Sequence, residues 1–482
     1  MTARHIGFFA GPALFLMTEF TLPESVFGPD AIHVLSVAAW LVTWWISEAT
    51  HVSVTALIPL VMFPALNVMS IGEAATPYAN PVIFLFMGGF MIALALEKHR
   101  LHERIALNLI RVTGTSGNGI ILGFTLATGL LSMWISNTAS ALMMLPIAIS
   151  VIELLRKPGS EEGIALSANE RNFGLGLMLS IGYSASIGGI GTIIGTPPNV
   201  VFSGFVREIY DRDLEFGKWM LIGVPVALFT LMACYLVVTR VLFPNNMKSV
   251  PGSRELIKSK LNELGRIKKE EKLVLLIFSI TSFLWIFQQA INQLIQSNAF
   301  NDTNIAIAGG LLMFLVPSDF KNQKFILEWS DTRKLPWGIL ILFGGGICLA
   351  RGMETTGIVK LIGDTIADGN TMSFFMLALI LTSISLLLTE IMSNVALITI
   401  FVPVVFGIAE GLGIDPIVVG IPVTFAASCA FMFPISTPPN AIVFASGHIK
   451  MKDMVRAGIL LDIMAIIIIM IATMTLANWV YG

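Results

Sequence analysis

Charge is what this chain has least of. Of its 482 residues, 12% are Asp, Glu, Lys or Arg and 55% are apolar, and the mean hydropathy is +0.82. A soluble domain of this size exposes far more charge, so that class is excluded. The net charge of −2 excludes the basic footprint of a nucleic-acid-binding protein. Cysteine is nearly absent: Cys234, Cys348 and Cys429 all fall in apolar stretches, which leaves neither a disulfide framework nor a zinc site. The histidines (His5, His33, His51, His99, His102 and His448) are scattered without metal-ligand spacing. The loops also lack paired catalytic carboxylates and any His motif, which argues against a polytopic enzyme acting on a lipid-linked substrate.

What the chain has instead is a succession of apolar runs near the roughly 20 residues that cross a bilayer. Its first partner is therefore the lipid bilayer. Spans are predicted at 6–22, 31–48, 52–68, 81–97, 218–243, 273–292, 303–318, 336–350 and 455–479. The apolar stretch after Met1-Thr2-Ala3-Arg4 reads as a span rather than a signal peptide, because no small-residue cleavage site precedes Pro23. Four further apolar blocks are interrupted by polar residues: 118–155, 173–206, 371–409 and 415–447.

The interruptions are doubled. Ser136-Asn137-Thr138 is followed by Thr196-Pro197-Pro198-Asn199, and Ser393-Asn394-Val395 by Thr437-Pro438-Pro439-Asn440. Phe86, Gly88, Gly89, Ala93, Ser136, Asn137, Ala139 and Pro146 recur at Phe343, Gly345, Gly346, Ala350, Ser393, Asn394, Ala396 and Pro403, all at an offset of 257. The Thr-Pro-Pro-Asn pair is offset by 241, and the hydrophilic loop 156–172, unmatched in the second half, accounts for the difference. This divides the chain into an N-terminal span (1–30), a first repeat (31–243), a connector (244–272) and a second repeat (273–482). The Gly pairs read as close helix packing.

Basic residues concentrate in 98–111, 156–171, 244–272, 321–334 and 450–456. Placed in the cytoplasm, these put the N-terminus inside and the C-terminus outside. The count closes only if 118–155 and 371–409 are re-entrant hairpins opening from opposite sides, which makes the repeat inverted. The predicted fold class is an all-α polytopic membrane protein, an inverted repeat with two re-entrant hairpins and two broken helices, about eleven spans in all.

No lysine or arginine lies near the four polar centres, and Glu390 is the one acidic residue there. An anion bound at these centres must be held by helix N-termini, by Ser, Thr and Asn side chains, and by co-bound cations. Hydroxyl and amide groups suit both tasks, since they donate to a carboxylate and accept toward a hard cation. Pro-Pro has no N–H and keeps the chain extended, which frees the preceding carbonyls to act as ligands. Glu390 at membrane depth is itself a functional candidate.

At these residues the chain resembles the divalent anion:sodium symporter family, the sodium-coupled di- and tricarboxylate transporters. The doubled Ser-Asn-Thr and Thr-Pro-Pro motifs carry the resemblance over nearly the whole chain. So do Leu388-Thr389-Glu390-x-x-Ser393-Asn394 and Gly195-Thr196-Pro197-Pro198-Asn199. The resemblance implies eleven spans plus two hairpins, a dimerising scaffold and a transport domain that moves as an elevator. It places the anion at Ser136, Asn137, Thr138, Ser393, Asn394 and Val395, between loops that include Pro198 and Pro439. It places one co-transported sodium ion near Ser132, Ser136, Asn137 and Gly195, and a second near Thr389, Asn394 and Ser436. Val395 departs from the expected threonine and removes one hydroxyl from the second tip.

The reading is a sodium-coupled symporter importing a C4-dicarboxylate such as succinate or malate, in a bacterial inner membrane and as a homodimer. Exchange, transport of sulfate or a tricarboxylate on the same fold, and sodium/proton antiport through Glu390 remain alternatives.

Overall fold

Where water is absent, every backbone N–H and C=O needs an internal partner, and helices meet that demand within one segment. The computed structural model describes residues 3–155, 167–367 and 372–481 and is helical almost throughout. Among the described residues, Pro317–Asp319 and Lys324–Phe325 form the one two-stranded ribbon. The loop expected at 156–172 lies largely outside the described residues. Its described end, Ser167, caps the next helix by accepting from the Glu170 N–H.

Helices α1 (Ala3–Thr21) and α2 (Pro29–Ser47) pack along each other. The span expected at 52–68 is instead two short pieces, Val52–Thr55 and Ile58–Ala65. Pro59 cannot donate to the preceding turn, so a continuous helix fails there. The neighbouring carbonyls find other donors: Trp45 Nε1 bonds Val52 O at 3.1 Å and the Tyr78 hydroxyl bonds Ala56 O at 2.5 Å.

A first series of seven helices follows: α3 (Pro81–Lys98), α4 (Leu101–Thr113), α5 (Gly117–Ser132), α6 (Asn137–Glu153), α7 (Ala168–Gly189), α8 (Pro197–Tyr210) and α9 (Phe216–Leu236). The connector carries its own amphipathic helix, α10 (Ser253–Leu264), ahead of α11 (Lys269–Ile295) and α12 (Asp302–Leu315). The second series repeats the first in order and type: α13 (Trp337–Thr355), α14 (Ile358–Ala367), α15 (Phe374–Thr389), α16 (Asn394–Gly411), α17 (Pro416–Ala427), α18 (Pro438–Ala445) and α19 (Met451–Ala472).

Among the described residues, seven helical stretches are long and apolar enough to cross a membrane. Three hairpin legs, α5, α6 and α15, at 16, 17 and 16 residues, fall short of the roughly 20 a span needs, while the fourth, α16, has 18 and is one of the seven.

The two series interlock. Leg α6 packs on α18 of the other series and leg α16 on α8, while each also packs on the broken helix of its own series, α7 or α17. Small residues make the tight crossings that membrane helices use for packing. A Cβ on Gly88 would come within 2.5 Å of the Ala306 backbone, so only glycine lets α3 lie this close to α12. Gly345 in α13 does the same against Ala56. The interior is buried and aromatic-rich around Phe124, Phe173, Phe202 and Tyr183.

Candidate functional site

Each hairpin reverses in four residues, 133–136 and 390–393, at equivalent positions of the two series. Serine ends each turn because its hydroxyl can stand in for the missing helical acceptor. Ser136 is the N-cap of α6 and accepts the Ala139 N–H at 3.1 Å. Ser393 is the N-cap of α16, and its hydroxyl makes no capping bond. Both serines are exposed, while Asn137, Thr138, Asn394 and Val395 are half-buried beside them. Each tip therefore presents the positive end of a helix dipole, with no basic side chain on it.

Behind each tip lies the same hydrogen-bond pattern. In the first, the Ser132 hydroxyl reaches both Asn137 Oδ1 at 2.7 Å and Ala185 O at 2.5 Å. In the second, the Thr389 hydroxyl reaches Asn394 Oδ1 at 2.9 Å and Ala427 O at 2.6 Å. The inward atom of the Asn137 amide lies 3.1 Å from both Ala185 O and Gly195 O. With oxygen inward, four oxygens from three chain segments converge. With the amide turned over, its nitrogen donates to all three neighbours. An all-oxygen cage of hydroxyl, amide and main-chain carbonyls is the donor set of a hard monovalent cation, and the turned amide closes the same space by hydrogen bonds.

The Thr-Pro-Pro-Asn motifs restart the broken helices. Thr196 and Thr437 are extended N-caps, and the prolines occupy the first helical positions, where no N–H is needed. Pro198 and Pro439 are buried, whereas Pro438 is exposed. The asparagine that closes each motif straps the unwound stretch. Asn199 Nδ2 donates to Gly189 O at 3.1 Å and Thr192 O at 2.8 Å. Asn440 Nδ2 donates to Ala430 O at 2.9 Å and Phe433 O at 3.2 Å. Sequence reasoning gave these two asparagines no role, although the 241-residue offset already paired them.

The two halves part at Glu390. Its buried carboxylate accepts the N–H groups of Phe431 (2.6 Å) and Met432 (3.0 Å) and the Ser436 hydroxyl (2.8 Å). The Ser436 side chain, placed by resemblance near Thr389 and Asn394, is thus engaged by Glu390. Asp462 of α19, which sequence reasoning missed, lies against the Glu390 carboxyl and is 5% exposed. In the first half Met133 stands in the place of Glu390, and its side chain packs against Gly191. Trp134 beside it stacks on Phe216 and Trp285 (centroids 6.1 and 6.5 Å) and meets Phe278 edge-on at 5.0 Å.

Unwound, polar backbone at two matched points inside apolar helices, each facing a hairpin tip, is the architecture of a secondary transporter, and the chain is not an enzyme. The chain belongs to the family of the sodium:sulfate symporter transmembrane region, whose model matches residues 4–482. It is 37% identical over 481 residues to the sodium-dependent dicarboxylate transporter SdcS of Staphylococcus saprophyticus, covering 99% of this chain and 92% of that one. The SdcS of Staphylococcus aureus strain MRSA252 is 36% identical over 483 residues, covering 100% and 92%. In fold the chain is similar to MtrF of Neisseria gonorrhoeae, described among antimetabolite efflux pumps, with a TM-score of 0.57 at 12% identity over 95% and 97% of the two chains. It is also similar to the YdaH transporter of Alcanivorax borkumensis, with a TM-score of 0.56 at 13% identity over 84% and 86%.

Proposed function

We propose that this chain imports a C4-dicarboxylate such as succinate or malate together with sodium ions. The observation that carries the reading is the doubled cluster of hydroxyl, amide and main-chain carbonyl groups behind two tips that hold no basic side chain. An anion in a low-dielectric site without a cationic partner is costly, and co-bound sodium supplies the missing charge. The relatives named as sodium-dependent dicarboxylate transporters support the choice of both cargoes.

In this reading the first sodium ion is held by Ser132, Asn137 and Gly195, joined by Ala185 O, with Ser136 at its edge. The second is held by Thr389, Asn394 and Ala427 O, with Ser436 positioned through Glu390. The dicarboxylate lies between the tips, one end at Ser136, Asn137 and Thr138, the other at Ser393, Asn394 and Val395. Pro198 and Pro439 shape the loops that flank it. Loading both cations lowers the cost of the anion, and the loaded half then moves as an elevator against a homodimeric scaffold. The chain has eleven spans and sits in a bacterial inner membrane with its N-terminus in the cytoplasm. Cysteines introduced into 244–272 should label from the cytoplasmic face alone, and labelling from outside would reverse that orientation.

The test is uptake of labelled succinate into proteoliposomes under an inward sodium gradient, with potassium in parallel. Sodium-dependent uptake competed by malate but not citrate is the expected result. Uptake that ignores sodium and responds to internal dicarboxylate would make the chain an exchanger.

A further inference from the structure

Away from the tips, a cavity of about 460 Å³ opens between α4, α10 and the base of the first hairpin. Its floor is apolar, formed by the buried side chains Ile110, Ile120, Val151 and Ile257. Its rim carries three cations, Arg111 from the last turn of α4 and Arg254 and Lys258 from α10. None of the three makes an ion pair among the described residues. The other arginine of α4 and the other lysine of α10 do: Arg104 pairs with Glu271 and Lys260 with Glu263. On these two helices, the arginines and lysines without an ion pair are the three at the cavity mouth. The α10 N-terminus lies at the same mouth, and Gly252 gives it no side-chain cap, so its positive end adds to the field.

We propose that this cavity binds the headgroup of an anionic phospholipid. Three unpaired cations and an open helix N-terminus call for a phosphate, and the apolar floor calls for an acyl chain behind it. Both α4 and α10 are amphipathic helices flanking spans, which sets the cavity at the level of the lipid headgroups. Val112 next to the mouth is 78% exposed, a position that suits the same lipid's hydrocarbon. A free phosphate ion would have no use for the floor. Because Ile120 belongs to α5 and Val151 to α6, an occupant would tie the base of the moving hairpin to the connector.

The experiment is a thermal-shift titration of the full-length protein in neutral detergent with phosphatidylglycerol, phosphatidylcholine or inorganic phosphate. Phosphatidylglycerol should raise Tm saturably, more weakly at high salt, and the other two should not. Each surface cation is worth about fivefold in affinity for an anionic headgroup, so R111Q/R254Q/K258Q should weaken the phosphatidylglycerol effect by about a hundredfold. That variant should still take up succinate in vesicles of phosphatidylcholine. Equal shifts with phosphatidylcholine, or an unchanged response in the variant, would overturn the site. An equal shift with inorganic phosphate would overturn the lipid as its occupant. The comparison of the three additives on wild-type protein decides the matter even if the triple variant does not fold.

Discussion

The two helix series share an order of elements and differ in what holds it. In the first, the tip is anchored by aromatic stacking of Trp134, and the unwound stretch 190–196 is short and packed on Met133. In the second, Ile391 takes the place of Trp134 and is 68% exposed, and the unwound stretch 428–437 is longer and hangs on the Glu390 carboxylate. Beyond the side-chain to main-chain hydrogen bonds that both make, one half is thus held by apolar contact and the other by hydrogen bonds to a buried carboxylate. Apolar contacts tolerate small changes of shape, whereas a buried charge tolerates no loss of partners. The asparagine-centred cages are the shared device, and their supports are not.

The largest effect is expected where the halves agree. Asn137→Ala and Asn394→Ala should each reduce sodium-driven uptake at least tenfold with membrane expression retained, since each removes a ligand worth about 1.5–3 kcal/mol toward a charge. Near-normal uptake in either variant would break the equivalence of the two cages. The next effect is one-sided. Trp134→Ala should cost about 3 kcal/mol of stability, read as a lowered Tm, and Ile391→Ala about 0.5 kcal/mol or less. Similar losses would mean that the aromatic anchor holds nothing.

Glu390→Gln keeps the shape but weakens the bonds from Phe431, Met432 and Ser436, at about 1.5–3 kcal/mol. It should raise the sodium concentration for half-maximal uptake more than it lowers the maximal rate. A pure loss of rate would separate Glu390 from the second cage. Val395→Thr restores a hydroxyl to the second tip and should reorder the preference among succinate, malate and citrate. An unchanged order would take this position out of contact with the anion. Asp462→Asn should change least: an amide can donate to the Glu390 carboxyl that Asp462 lies against, so Tm should hold or rise. A clear fall in Tm would show that the Asp462 carboxyl has a partner of its own.

These supports explain what could be read from the chain and what could not. The constant offsets pointed to both hairpins, both broken helices and the central asparagines, because a repeated backbone geometry demands the same polar residues at the same spacing. The interrupted span at 52–65 was hidden, since its break depends on Tyr78 and Trp45 reaching carbonyls that the local sequence does not mention. Asp462 was hidden for a similar reason. It lies in the last span, outside every motif, and meets Glu390 only when α19 packs beside α17. The strapping role of Asn199 and Asn440 required knowing which carbonyls the helix breaks release. Repeated features left a trace in the sequence, and one-sided ones did not.

The proposed coupling is that two equivalent asparagine-centred cages each carry one sodium ion with the anion. Its most direct test is the number of sodium ions moved per succinate, measured in proteoliposomes from the sodium gradient that just balances an opposing succinate gradient. A ratio of at least two is expected in the wild type. A ratio of one, or a balance point indifferent to sodium, would contradict it.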